Sequence, residues 1–192
     1  MKKKTLVIVA HPDDETIWMG GFLLNNYKKW DITIISLCRK NDKDRAFKFK
    51  KVCKILNAKC YMSDLEDEKL NDIYKEEVIK RIKKYSKKNY DYIFTHGKNG
   101  EYAHKRHIDI NKAVTYMLNK KMILCKIFFL FSYIRKGKFC YPNKNSDKFI
   151  NLNKNCLKKK KKLIKDIYGF NKNSFEYICS RNKEAFKILK IK

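Results

Sequence analysis

The chain has 192 residues and a formal net charge of +27, with 47 Lys or Arg against 20 Asp or Glu. Its 44% hydrophobic content supports one globular domain over residues 1–192, with a sizeable core. Seven cysteines, an odd number without a Cys-x-x-Cys pair, exclude a disulfide framework and read as small buried hydrophobes in a reducing compartment. The apolar stretch 122–134 is interrupted by Lys126 and falls short of the about 20 residues a membrane helix needs. The basic N-terminus precedes too short an apolar run for a signal peptide, so a cytoplasmic location is expected. Lysine is spread over the whole chain and forms no block alternating with aromatics. The charge therefore reads as compositional bias that still attracts anionic surfaces, and no specific nucleic acid is expected.

In chain order, residues 5–10 form a buried strand that ends in His11-Pro12-Asp13-Asp14-Glu15. A helix follows over 16–29, with Ile17, Phe22, Leu23 and Leu24 toward a sheet and Gly20-Gly21 permitting close packing. A strand at 32–37 leads to Arg39 and a helix over 44–56 carrying Phe47, Val52, Ile55 and Leu56 inward. A short strand at 60–62, a helix over 72–85 and a strand at 92–95 come next. A loop with His96, His104 and His107 then precedes a helix near 108–118. Beyond it lie a strand at 127–133, a long loop over 137–155, a helix over 156–168 and a final helix over 175–189. The run Lys158–Lys162 reads as a solvated face. This alternation predicts an α/β fold: Rossmann-like, a mostly parallel sheet with helices on both faces. No Gly-x-Gly-x-x-Gly follows the first strand, so nucleotide binding through that fingerprint is not supported.

All four histidines fall on two strand-end segments, His11 on the first and His96, His104 and His107 on the other. Strand carboxyl ends are where open α/β sheets bind ligands. Two imidazoles and a carboxylate make a three-donor set with an open position, which suits catalytic zinc and equally non-haem Fe2+. The bland alternatives are Asp13 or Asp14 as a helix cap and His107 as a surface residue. Arg39, at the same edge, is suited to a phosphate or a sugar hydroxyl.

The Ala10-His-Pro-Asp-Asp-Glu15 signature and the His96-Gly-x-x-Gly-Glu-Tyr-x-His-x-x-His107 segment together resemble the PIG-L/LmbE-like family of zinc-dependent de-N-acetylases, over residues 5 to about 118. The resemblance implies His11, Asp14 and His107 as ligands to Zn2+, with Fe2+ as the alternative ion. It implies Asp13 as general base, and a protonated His104 that stabilises developing charge or protonates the leaving amine. Tyr102 and Asp67 fall where family members border the sugar. Glu15 is read either as supporting a ligand or as helix N-terminal charge, and His96 as a structural lining residue. Family members often carry Pro-Asp between the last two histidines; Lys105-Arg106 stands here, replacing an acidic group with a basic one. The implied activity is metal-dependent removal of an N-acetyl group from an N-acetylglucosamine-type conjugate. The expected partners are that amino-sugar substrate and, through charge, an anionic membrane surface; a homo-oligomer is compatible with the sequence. The competing reading is a polyanion-binding protein with a vestigial metal site.

Overall fold

The computed structural model describes residues 1–190. Five strands, β1 (Lys3–Val9), β2 (Trp30–Ser36), β3 (Lys59–Met62), β4 (Asn89–Thr95) and β5 (Leu124–Phe131), are all parallel. The helices α1 (Asp14–Asn26), α2 (Lys43–Ile55), α3 (Lys75–Tyr85), the single turn α4 (Gly100–Ala103) and α5 (Lys105–Asn119) connect them. After β5 come a hairpin of β6 (Tyr133–Lys136) and β7 (Phe139–Pro142), then β8 (Lys148–Asn151) and α6 (Lys154–Lys162). A π-helical turn (Leu163–Ile167), a short α7 (Phe175–Cys179) and β9 (Lys183–Leu189) complete the described chain. The main sheet has the order β3-β2-β1-β4-β5-β9-β8, with β9 and β8 antiparallel to their neighbours. It is thus the expected α/β, mostly parallel sheet with helices on both faces. Among the described residues, no helix is long and apolar enough to cross a membrane.

The central strands are apolar throughout because both faces are covered: Leu6, Val7, Ile8 and Val9 are all 0% exposed. Period-two alternation sends Val7 and Val9 into one core cluster, Leu6 and Ile8 into the other. The chain leaves β1 toward β2 on one side, and β4 lies on its other side, so the strand order switches direction at β1. A crevice opens at such a point, outside the carboxyl ends of β1 and β4.

Several expectations need correction. Residues 137–155 hold β7 and β8 rather than a continuous loop, and residues 183–189 form a strand inside the sheet rather than the end of a helix. That segment mixes good helix formers with apolar residues; its pairing with β5 and β8 decides the outcome. On α2, Phe47 and Ile55 are exposed at 58% and 45%, while Phe49, Val52 and Cys53 face inward. Lys160 is fully buried, so the lysine run is not a continuous solvated face.

Lys160 is buried because α1 is broken. Met19, at φ −144°, leaves the helical region, which frees backbone groups on either side. The amides of Gly21 and Phe22 donate to the Glu184 carboxylate at 2.7 and 2.8 Å. The Trp18 carbonyl accepts from the Tyr133 hydroxyl at 2.7 Å. Lys160 Nζ closes the arrangement 2.6 Å from Glu184. A Cβ on Gly21 would stand 2.3 Å from the Leu152 methyls, so any larger residue there would force that side chain to move. Glu184→Ala strands a buried ammonium and two amides, and is expected to lower stability by about 3–5 kcal/mol. Urea unfolding reads this directly; an unchanged midpoint would refute the account.

Candidate metal centre and active site

β1 ends at Val9, and the chain turns through residues 10–13 into α1. Asp13 occupies the N-cap position but makes no side-chain capping bond, so its carboxylate is free of the helix. Its φ of 124° is strained for a residue with a Cβ. Glu15, fully buried, holds this conformation: its carboxylate accepts from the Asp13 amide at 3.1 Å and from the hydroxyls of Thr16 and Tyr168 at 2.5 and 2.7 Å. These bonds fix the turn and reach none of His11, Asp14 or His107, a role different from both readings of Glu15.

Asp14 turns inward. Its Oδ1 accepts from Trp18 Nε1 at 2.9 Å and its Oδ2 from the His11 amide at 2.8 Å. Three donor atoms then meet. His11 Nδ1 is 3.2 Å from Asp14 Oδ2, His107 Nε2 is 3.4 Å from Asp14 Oδ2, and the two nitrogens are 3.3 Å apart. Partners of the opposite ring nitrogens fix the tautomers. His11 Nε2 faces Asp67 Oδ2 at 3.0 Å, and His107 Nδ1 donates to Glu101 Oε2 at 2.6 Å. With a cation at the shared centre, the remaining nitrogen of each ring would offer it a lone pair.

A three-atom set of lone pairs at this spacing fits a small cation. Donors held tetrahedrally at about 2.0–2.1 Å from a zinc ion stand about 3.3 Å from one another. Electrostatics agree. Burial pulls the His11 imidazole down, but Asp14 and Asp67 outweigh it and raise the group to about 10. Burial pushes Asp14 up, yet His107, His96 and His11 hold its carboxyl well below the usual range. The locus thus favours positive charge between His11 and Asp14.

Other donor groups overlap this centre: His11, His104 and His107 lie within 4.8 Å of one another, as do Asp14, His96 and His107, and His11, Cys38 and Asp67. His96 has no lone pair to offer, because its Nε2 accepts from the Ala10 amide at 2.9 Å and its Nδ1 donates to Glu101 at 2.8 Å. It stacks on His107 with ring centroids 3.8 Å apart, which fits the structural reading. Burial raises the Cys38 thiol and keeps it protonated.

His104 borders the centre from the N-cap of α5, its ring centroid 4.6 Å from that of His107. Burial and the neighbouring His107 and His11 push it down to about 4. This shift favours the neutral His104 imidazole in the free site, whereas the resemblance implies a protonated one during the reaction. Its Nδ1 is buried without a hydrogen-bond partner, as is Oδ1 of Asp67, and the two side chains approach to 4.0 Å.

Asp13 also faces the cavity. Burial and the adjacent Asp14 push its carboxyl well above the ordinary range, against the pull of Arg45 and His11. Arg45 donates to Asp13 Oδ2 at 3.1 Å from the first turn of α2. Sequence reasoning missed Arg45, since nothing in its neighbourhood signals a partner 32 positions away. It also gave Glu101 no role, although this buried residue ties His96 and His107 together and sits at φ 59°.

Arg39 and Asp67 come together as one pair: Arg39 Nε donates to Asp67 Oδ2 at 3.0 Å. Tyr102 lines the same cavity of about 210 Å3 as Asp13, Asp14 and His104. Beyond the Arg39–Asp67 pair, a second hollow of about 700 Å3 opens along the loop from Asp64 to Asn71. Arg106, which replaces the family's acidic residue, does not touch His107. It is fully buried and reaches away to the Glu66 carboxylate, the Asn71 carbonyl and Asp109, clamping the loop that carries Asp67.

The fold resembles several solved structures. An N,N'-diacetylchitobiose deacetylase from Pyrococcus horikoshii matches with a TM-score of 0.70 and 16% identity, over 97% of this chain and 84% of that one. The 4-carboxy-2-hydroxymuconate hydratase GalB from Pseudomonas putida matches at 0.66 and 13% identity, over 100% and 98%. A conserved protein from Thermus thermophilus matches at 0.66 and 12%, over 96% and 94%. A deacetylase and a hydratase share this architecture, so at such identities the likeness speaks for the fold alone. Among curated proteins none matches the chain by sequence. The profile of the GlcNAc-PI de-N-acetylases matches residues 6–118, from β1 through α5, and spans both histidine segments. The chain belongs to the GlcNAc-PI de-N-acetylase (PIG-L) family.

Proposed function

We propose that this chain is a metal-dependent hydrolase that removes the acetyl group from an N-acetylglucosamine-type conjugate. The observation that carries the reading is the triangle of His11 Nδ1, Asp14 Oδ2 and His107 Nε2 beside an uncapped Asp13. His11, Asp14 and His107 are the residues that would hold a divalent cation, zinc by preference and Fe2+ as the alternative. When bound, such a cation supplies Lewis acidity, acidifying water and polarising a carbonyl.

The chain's own groups do the rest. Asp13, an unusually basic carboxylate, takes the proton from the attacking water at its cavity-facing oxygen while Arg45 fixes the other. The same proton is available for the departing amine, so none need come from His104. The neutral imidazole of His104 donates an N–H to the oxygen on which charge develops. Arg39 and Asp67 offer a donor and an acceptor to sugar hydroxyls, and the 700 Å3 hollow beyond them has room for the rest of the conjugate. Tyr102 walls the acetyl side.

Acetate release from a panel of N-acetylglucosamine conjugates, with and without added metal, tests the proposal. Metal-dependent release from at least one conjugate is expected. Salt-dependent binding of RNA by metal-stripped protein, with no release from any conjugate, would favour the polyanion reading instead.

A prediction concerns Glu101. A carboxylate behind a ligating histidine fixes its tautomer and raises its basicity. Glu101→Gln is expected to weaken metal affinity by about 10–100-fold with the fold retained. Competition with a chromogenic chelator measures this, and an unchanged affinity would assign Glu101 to structure alone.

A further inference from the structure

The outer side of α2 carries apolar and basic side chains together. Phe47, Lys51 and Ile55 follow one another at a spacing of four, with Lys50 and Lys54 alongside. Phe47 and Ile55 are exposed, and Lys51 Nζ lies 4.2 Å from the centre of the Phe47 ring. Ile55 also borders a hollow of about 310 Å3 shared by neighbouring helical segments. Leu24 of α1 and Leu163 and Ile167 of the π-helical turn line it, and so do Lys159 and Lys162 of α6.

The charge of this face is one-sided. Asp44 is paired with Lys48 at 2.6 Å, Asp31 with Lys59 at 3.1 Å, and Asp166, also at the hollow, lies 4.0 Å from Lys165. Among the described residues, the exposed Lys50, Lys51, Lys54, Lys159 and Lys162 have no carboxylate partner of their own. Every cation of this set is a lysine, without the planar fork by which arginine grips a single phosphate group. The aliphatic groups between the lysines offer nothing to a phosphodiester chain, yet gain by leaving water for acyl chains. Lysine stems can lie along such apolar surface while their ammonium groups reach headgroups. Apolar side chains ringed by lysines are what an interfacial helix presents to an anionic bilayer.

We propose that this face, from Phe47 through Ile55 and across the hollow to Lys159 and Lys162, docks on the surface of an anionic lipid bilayer. Phe47 and Ile55 enter the headgroup boundary, and the five lysines lie at the level of the lipid phosphates. The opposite side of the sheet, where α3 and α5 cover the second core cluster, stays in solvent. Docking by this face does not depend on the hydrolytic reading above.

The test sediments the full chain with phosphatidylcholine vesicles that contain or lack phosphatidylserine. Binding is expected only to the phosphatidylserine vesicles, and it should weaken as salt rises. A chain of net charge +27 is drawn to such vesicles in any orientation, so paired variants must locate the contact. Lys51→Ala with Lys54→Ala should weaken binding about fivefold for each lysine removed. Lys80→Ala with Lys83→Ala, the same charge loss at exposed positions of α3, should change it far less. Phe47→Ser with Ile55→Ser removes no charge and should still weaken binding several-fold. Equal losses from the two lysine pairs, or undiminished binding by the Phe47, Ile55 variant, would overturn the proposal. So would a single-stranded RNA whose binding needs Lys51 and Lys54 when vesicle binding does not. The comparison of lysine pairs decides alone if the apolar variant fails to fold.

Discussion

Asp13→Asn is expected to keep its metal and lose acetate release by about 10²–10⁴-fold, the usual contribution of an acid–base partner. The substitution isolates one property. Asparagine has nearly the same shape, its carbonyl can still accept from Arg45 Nη1, and it tolerates positive φ better than most residues, so the strained turn at φ 124° should survive. What it cannot do is accept a proton. The carboxylate's proximity to Asp14 and its burial, which raise its basicity, are wasted on an amide. Elemental analysis paired with an acetate assay settles the matter: near-normal turnover by a metal-loaded variant would remove Asp13 from the role of base.

The second large effect separates two histidines three positions apart. His107→Ala should drop metal content from about one ion per chain to a trace, because it deletes one of three donors. His104→Ala should keep the ion and lose rate. Geometry supports this division. His107 Nε2 sits 3.4 Å from Asp14 Oδ2 and 3.3 Å from His11 Nδ1, with its far nitrogen held by Glu101. His104 has no such carboxylate behind it, its Nδ1 lacks a partner, and its nearest acidic contact is 4.0 Å away. If metal leaves His104→Ala and stays in His107→Ala, the two roles are reversed.

Much of this centre was legible because its signals are local. A buried strand followed directly by His-Pro-Asp-Asp-Glu needs no tertiary information to be placed at a sheet edge, and the second histidine segment follows another such strand. The helix-cap reading of Asp13 could be dismissed only once its carboxylate was seen unbonded to the helix. Arg45 and Glu101 were hidden for different reasons. Arg45 is one basic residue among 47 Lys and Arg, and only the packing of α2 against the first turn brings it to Asp13. Glu101 stood inside the histidine segment, but its function depends on two rings meeting at one oxygen. Lys160 was misjudged because lysines beside it are exposed; its burial is dictated by Glu184, 24 positions away. The same holds for β9, whose strand character comes from partners rather than from its own residues.

The broken helix has a kinetic corollary. The amides freed at Gly21 and Phe22 are satisfied by a side chain 163 and 162 positions later. During folding from the N-terminus, the helix that begins with Asp14 must therefore wait, with two donors open to solvent, until almost the whole chain has been threaded into place. Loop closure over that span is slow relative to local helix formation. Metal capture should accordingly be a late event: in refolding from urea, recovery of the ion is expected to lag behind the return of helical signal. Simultaneous recovery would mean that the turn organises without its distant carboxylate.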